Sequence, residues 1–144
     1  NGLFDPPAIY DDFAILHGYG MTNLDFWDGR RIVFFSCWEV TGDIDRDYTV
    51  FLHVLDAEGN LVATWDHQPG GGLYTTSLWQ PGEFVKDELS VYLYNEDVPP
   101  GTYQVRIGLY DLATNTRVPV RVGDAVVDGV SLLNPIRMLA EPPA

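Results

Sequence analysis

The sequence predicts an all-β protein, a two-sheet antiparallel β-sandwich of jelly-roll or Ig-like type with about eight strands. Apolar residues recur with period two in short runs, which is the mark of half-buried strands. The runs are separated by Gly, Pro, Asn and Asp, with 14 glycines and 10 prolines in 144 residues. No window carries the i, i+3, i+4, i+7 spacing of an amphipathic helix. A twisted sheet of this composition buries one face against a partner sheet, hence the sandwich.

Residues 1–10, with Pro6-Pro7, read as a linker or terminal arm, because paired prolines lack the N–H groups that a sheet interior needs. The sandwich domain is expected over 11–138, and 139–144, with Pro142-Pro143, reads as a second linker. Candidate strands run Phe13–Tyr19, Arg31–Val40, Tyr48–Asp56, Asn60–His67, Asp87–Tyr94, Thr102–Tyr110, Arg117–Val122 and Val130–Arg137. Arg31–Val40 is apolar on both faces, as is Tyr48–Asp56, so both belong at sheet centres, with Cys37 and Trp38 in the core. Asp56-Ala57-Glu58-Gly59-Asn60 reads as a hairpin turn with glycine at the positive-φ position. Pro99-Pro100-Gly101 turns the chain before Tyr103–Leu109, whose odd positions form one apolar face. Asp111–Thr116 supplies another turn, with Asn115 suited to the left-handed region. His67–Val85 has no clean period and contains Gly70-Gly71-Gly72. It reads as a loop crossing from one sheet to the other, a place where function concentrates on a rigid sandwich.

Lys and Arg number 8 against 21 Asp and Glu, a formal charge of −13. That excludes a nucleic-acid partner, which needs a basic stripe, and disfavours an anionic membrane surface. No run reaches the roughly 18 apolar residues of a membrane span, so direct membrane insertion is not expected of this chain. The start lacks a basic and apolar leader, and the chain reads as a mature protein or an excised domain. Cys37 is the sole cysteine, which leaves no intrachain disulfide, CxxC pair or cysteine zinc cluster.

Several blocks occur in a telling order: Asp47–Asp56, Gly59–Ala63 through Asp66, Thr76–Glu83 through Asp87, Pro99–Tyr103, and Gly108–Asp111 through Arg117. Together, from about Phe13 to Val122, the chain resembles the extracellular β-sandwich module at the end of multi-span bacterial glycosyltransferases of the dolichyl-phosphate-mannose mannosyltransferase type, common in Chloroflexota-like bacteria. Thr75 stands where that module often has proline, and Asn115 where it often has glycine. The resemblance implies an extracytoplasmic accessory domain of the cell envelope beside sugar-handling machinery, and it carries over no catalytic residue.

No catalysis is expected. No Gly-x-Ser-x-Gly elbow occurs, and Ser36, Ser77, Ser90 and Ser131 lie in no recognisable nucleophile motif. Glu39, Glu83 and Glu88 are the options for a carboxylate pair, which sequence cannot bring together across strands. His17, His53 and His67 would make a zinc site only by converging, and His53, between Phe51 and Leu55, reads better as a hydrogen-bonded, partly buried histidine. Asp43, Asp45 and Asp47 alternate as in the start of a calcium loop, but Tyr48 replaces the required glycine and Val54 stands where the bidentate Glu belongs. No cofactor is expected, and a structural calcium stays open.

Aromatic residues supply the remaining signal, because sugar rings stack their C–H faces on exposed Trp or Tyr beside polar groups. Trp79, Tyr74, Trp65 and Trp27 lie in or beside loops, with Gln80 and Asp66 close by, and form the candidate glycan platform. The opposing reading of Trp79 is a core plug pinned by Pro81-Gly82, and Trp27 divides evenly between edge packing and exposure. The expected function is a non-catalytic accessory module with a carbohydrate-binding-like surface. The alternative is a structural subunit of a filament or surface layer that self-associates through edge strands or termini. With one cysteine, reducing agent is expected to leave the melting curve of the protein unchanged; a shift would reveal an intermolecular disulfide.

Overall fold

Every second residue of β4 (Ile32–Val40) is buried, and the alternates are half-buried, so this strand sits inside a sheet with one face on the core. The computed structural model describes residues 2–144. In chain order the remaining strands are β1 (Gly2–Tyr10), β2 (Ala14–Met21), β3 (Asp25–Phe26), β5 (Thr49–Leu55), β6 (Leu61–Thr64), β7 (Phe84–Val91), β8 (Gly101–Asp111), β9 (Thr116–Arg117), β10 (Val120–Val122), β11 (Ala125–Val127), β12 (Val130–Ser131) and β13 (Ile136–Met138). They form two sheets packed as a sandwich. Sheet 1 has the order β11-β10-β1-β2-β4-β7. Sheet 2 has the order β3-β13-β8-β5-β6, with β9 and β12 also paired to β8. All neighbours are antiparallel except β3 and β13. The only helical turns among the described residues are two short 3-10 segments, Pro69–Gly72 and Thr76–Leu78.

The core lies between the sheets and is rich in aromatics. Tyr10 meets Trp38 edge-on at 5.0 Å, and Trp38 meets Trp79 at 6.0 Å. Each buried indole N–H finds an acceptor, as burial of a polar atom requires. Trp38 donates to Ser36 Oγ at 2.8 Å, and Trp79 to the Tyr74 carbonyl at 3.0 Å. The Tyr10 hydroxyl donates across the sandwich to the Ile107 carbonyl at 3.3 Å, and burial drives its pKa upward.

The structure corrects several sequence expectations. From Gly2 onward the expected arm over 1–10 is strand β1, and Asn1 lies outside the described residues. Pro6 and Pro7 fit there because they fall in the register break between Leu3 and Ala8, where the ladder needs no N–H. Cys37 is half-buried on the outward side of β4 rather than in the core. The expected strands 117–122 and 130–137 are each divided, with Pro119 and Pro135 in the gaps. β4 and β5 are interior strands as expected, but each lies one place in from an edge, beside β7 and β6, rather than at the sheet centre. The loop crossing from β6 in sheet 2 to β7 in sheet 1 is observed.

That loop is anchored by a buried ion pair. Alternation along β7 turns Asp87 inward, leaving its side chain 1% exposed. His67 Nε2 donates to Asp87 Oδ2 at 2.6 Å, and His67 Nδ1 donates to the Trp65 carbonyl at 3.0 Å. The second Asp87 oxygen accepts from the Gly70 N–H at 3.0 Å. The His67 backbone exchanges two hydrogen bonds with Val50 on β5, both 2.9 Å. One residue thus ties β5 of sheet 2 to β7 at the edge of sheet 1. Two acceptors facing two ring nitrogens require the imidazolium form. Burial alone would lower the His67 pKa, but the Asp87 hydrogen bond and charge outweigh it and raise the value above the ordinary 6.5.

The sign of the pH effect follows. A raised native pKa contributes stability that is whole below pH 6.5 and is lost as pH rises through the native value. Thermal melts from about pH 6 to about pH 9 are expected to show a falling midpoint in the wild type and a flatter dependence in His67→Asn. That variant is also expected to lose roughly 3–5 kcal/mol near pH 6, since it leaves a buried carboxylate without its cation.

Candidate ligand-binding face

The outward side of sheet 1 is assembled by cross-strand register. One row runs Val126, Arg121, Ile9, Ile15, Glu39, Phe84 from β11 to β7. The next row runs Leu3, Gly18, Cys37, Lys86. A third runs Gly20, Phe35, Glu88. Gly18 and Cys37 at the middle of the second row are small, while Ile15, Glu39 and Phe84 on one side and Phe35 and Glu88 on the other are larger, which makes a trough. Gly18 is obligatory, because a Cβ there would run into the Gly2 carbonyl oxygen of β1. Two adjoining hollows of about 440 Å³ and about 370 Å³ share Leu3 and Cys37 in their walls.

Polar groups stand on the rim. His17 Nε2 and Glu39 Oε1 lie 2.7 Å apart, both partly exposed, and the His17 ring is 6.4 Å from that of Phe84. Lys86 Nζ sits 3.2 Å from Glu88 Oε1 and 4.4 Å above the Phe35 ring. Phe84 itself is 73% exposed, a large apolar side chain facing water beside the hydrogen-bonded His17 and Glu39.

The opposite outer face is closed at its centre. Phe51 points outward from β5 yet is only 1% exposed. The Arg117 guanidinium covers it at 4.5 Å, and Gly108 and Gly129 leave room where a Cβ would strike the ring. His53, beside it, faces Asp66 at 3.6 Å, and burial lowers its pKa. A further hollow of about 310 Å³ at one end of the sandwich holds Arg46 and Asp111, which satisfy each other at 2.8 Å.

The anticipated aromatic platform is not assembled. Trp79 and Trp65 are 1% and 9% exposed. Trp79 packs on Trp38, and Trp65 stacks on Phe26 at 5.6 Å while donating to the Tyr92 carbonyl at 3.1 Å. Tyr74 is half-buried with its hydroxyl committed to the Glu83 carboxylate, whose pKa this hydrogen bond lowers. Trp27 lies half-buried under the Arg30 guanidinium at 3.9 Å. Asp66 accepts from the Leu52 N–H at 3.1 Å, and Gln80 is exposed. The signal for Phe84 was present in the alternation of Val85, Asp87, Leu89 and Val91, which turns Phe84, Lys86 and Glu88 outward. It was obscured because a buried aspartate occupies one of the inward positions.

The calcium candidates do not converge either. Asp45 lies 3.4 Å from Arg46, and Asp47 accepts from the Ser77 N–H at 3.1 Å, with hydrogen bonds from Ser77 and Thr75 lowering its pKa. Asp43 is exposed. Among the described residues no three His, Cys, Asp or Glu side chains gather as metal ligands. His17, His53 and His67 point to the outer side of sheet 1, the outer side of sheet 2 and the loop anchor. Glu39, Glu83 and Glu88 each bind a separate partner, His17, Tyr74 and Lys86 in turn.

No protein-family model matches the sequence, and no curated protein does. Solved structures match in shape. The C-terminal domain of Wzt superimposes with a TM-score of 0.65 over 98% of this chain and 83% of that chain, at 13% identity. The likeness is one of fold. A CARDB domain from Pyrococcus furiosus, in complex with di-metal ions, reaches a TM-score of 0.46 over 92% of this chain and 100% of that one, at 12% identity. Both are β-sandwich domains. Neither bears on the glycosyltransferase-associated module that the motifs resemble. No helix among the described residues is long and apolar enough to cross a membrane.

The two aromatic positions separate cleanly by stability. Trp79→Ala is expected to cost roughly 3–5 kcal/mol in urea unfolding, whereas Phe84→Ala stays within about 0.5 kcal/mol of wild type. A large loss in the second variant would place Phe84 in the packing rather than on a free surface.

Proposed function

We propose that this domain is a non-catalytic accessory module of the cell envelope, outside the cytoplasm, that holds a glycan chain in the trough on the outer side of sheet 1. The observation that carries the reading is Phe84, 73% exposed beside the His17–Glu39 pair and above an apolar floor. A pyranose has an apolar face to lay on such a ring and equatorial hydroxyls to bond with a carboxylate, an imidazole and an ammonium. The six strands of sheet 1 give a face about 24 Å across at about 4.8 Å per strand, which suits an oligosaccharide more than a single sugar. A charge of −13 disfavours polyanionic glycans and favours neutral ones. The resemblance to the module of envelope glycosyltransferases supports the same setting. The paired carboxylates, each with its own partner, support a role in binding rather than hydrolysis.

A neutral-glycan array followed by titration calorimetry tests this. Phe84→Ala and His17→Ala are each expected to weaken binding several-fold while the fold persists, since one aromatic contact contributes about 0.5–1.5 kcal/mol. Absence of any glycan ligand, or binding indifferent to Phe84→Ala, would remove the trough from consideration.

A further inference from the structure

Free sheet edges are normally blunted by charge, proline, bulges or covering segments. At the β7 edge of sheet 1 the Pro69–Gly72 turn packs against the strand, with the Gly70 N–H bound to Asp87. At the β6 edge of sheet 2 the ladder with β5 shifts register. The two-residue β3 edge carries Asp25, clamped by Arg137 through two 2.8 Å hydrogen bonds. The β11 edge differs from all three. Its residues Ala125, Val126 and Val127 are apolar and exposed, Val126 by 72%, and its pairing with β10 is regular.

We propose that β11 is a self-association edge, pairing antiparallel with β11 of a second copy about a two-fold axis through Val126. Three features make the edge self-complementary. Gly123-Asp124 is a two-residue turn, with Gly123 at φ 58°, closing on the pair Val122 and Ala125. Hydrogen-bonded and non-bonded pairs alternate from such a turn, which directs the Val126 N–H and C=O to the free edge, where two copies exchange both bonds. Side chains match next: Val126 meets Val126 of the second copy on one side, and Ala125 meets Val127 on the other. Charges match last. Asp124 falls opposite Asp128 of the second copy, but each Asp128 is flanked by Arg117 at 2.9 Å and Arg106 at 3.4 Å, so the local charge facing Asp124 is positive.

The product is one continuous twelve-stranded sheet built from the six strands of each copy. A two-fold axis normal to the sheet keeps both outer faces on the same side, so the two troughs adjoin. A three-residue edge buries far less than the roughly 800 Å² per partner of a stable complex, so the dimer is weak and concentration-dependent. This contact stands apart from the glycan reading and is tested without any ligand.

Sedimentation equilibrium of the full chain up to about 1 mM is expected to show a single monomer–dimer equilibrium. Val126→Lys sets two like charges together at the axis, and Asp124→Arg sets an arginine against two others. Each is expected to raise the dissociation constant at least tenfold, while Val126→Ile preserves it. Both positions are exposed, and thermal melts of the three dilute variants verify that each is folded. The proposal is overturned if the wild type stays at monomer mass throughout, if Val126→Lys and Asp124→Arg associate like the wild type, or if mass grows past the dimer.

Discussion

A buried charge sits where the two sheets of this molecule meet, and much of the architecture is arranged around it. Strand alternation turns Asp87 inward, where an unpaired carboxylate would cost several kcal/mol. His67 answers it from the end of β6, with its other ring nitrogen on the Trp65 carbonyl and its backbone paired to Val50. Because His67 is bridged to β5 of sheet 2 and Asp87 lies on β7 of sheet 1, the pair links the two sheets. The intervening loop then has little freedom: Gly70 caps the carboxylate, Trp79 drops onto Trp38, and the chain enters β7 with Phe84 facing out.

The two outer faces use similar residue types to opposite ends. On sheet 2 an outward phenylalanine, Phe51, lies over Gly108 and is sealed by Arg117 and the turn at Asp128-Gly129. On sheet 1 the glycine is taken up by a neighbouring backbone, since Gly18 sits against Gly2, and the aromatic side chains stand to either side of a shallow floor. The first arrangement gives a satellite core and the second a trough. The carboxylates of that trough, Glu39 and Glu88, each have a partner, the His17 imidazole and the Lys86 ammonium. The same economy of charge recurs at Asp128, shared by Arg106 and Arg117 beside the sheet's apolar edge.

Much of the fold was legible in the residues. The runs around Trp38 and Leu52 were apolar on both sides and became the interior strands β4 and β5. The turn at Gly59 and the left-handed Asn115 appeared where their side-chain chemistry placed them. The crossing of the 67–85 segment was visible from its lack of period. The first strand was hidden by Pro6-Pro7, because a bulge that tolerates proline exists only once Leu3 and Ala8 have both found partners on β2. The site was far less legible. Tyr74, Trp65 and Trp79 carried the composition of a sugar platform, yet two of the three fill the core.

The sequence by itself determined that this is an all-β sandwich with one aromatic-rich core, because period-two hydrophobicity is a local property that survives any choice of partner strand. Tertiary structure alone decided which aromatic side chains meet water and which carboxylates lie alone or paired. Side-chain direction in a sheet reverses with a one-residue shift of register. Register here is set by contacts distant in sequence, such as Asp87 with His67 and Glu39 with His17. Whether Phe84 or Trp79 faces solvent is therefore a consequence of pairing across the whole chain.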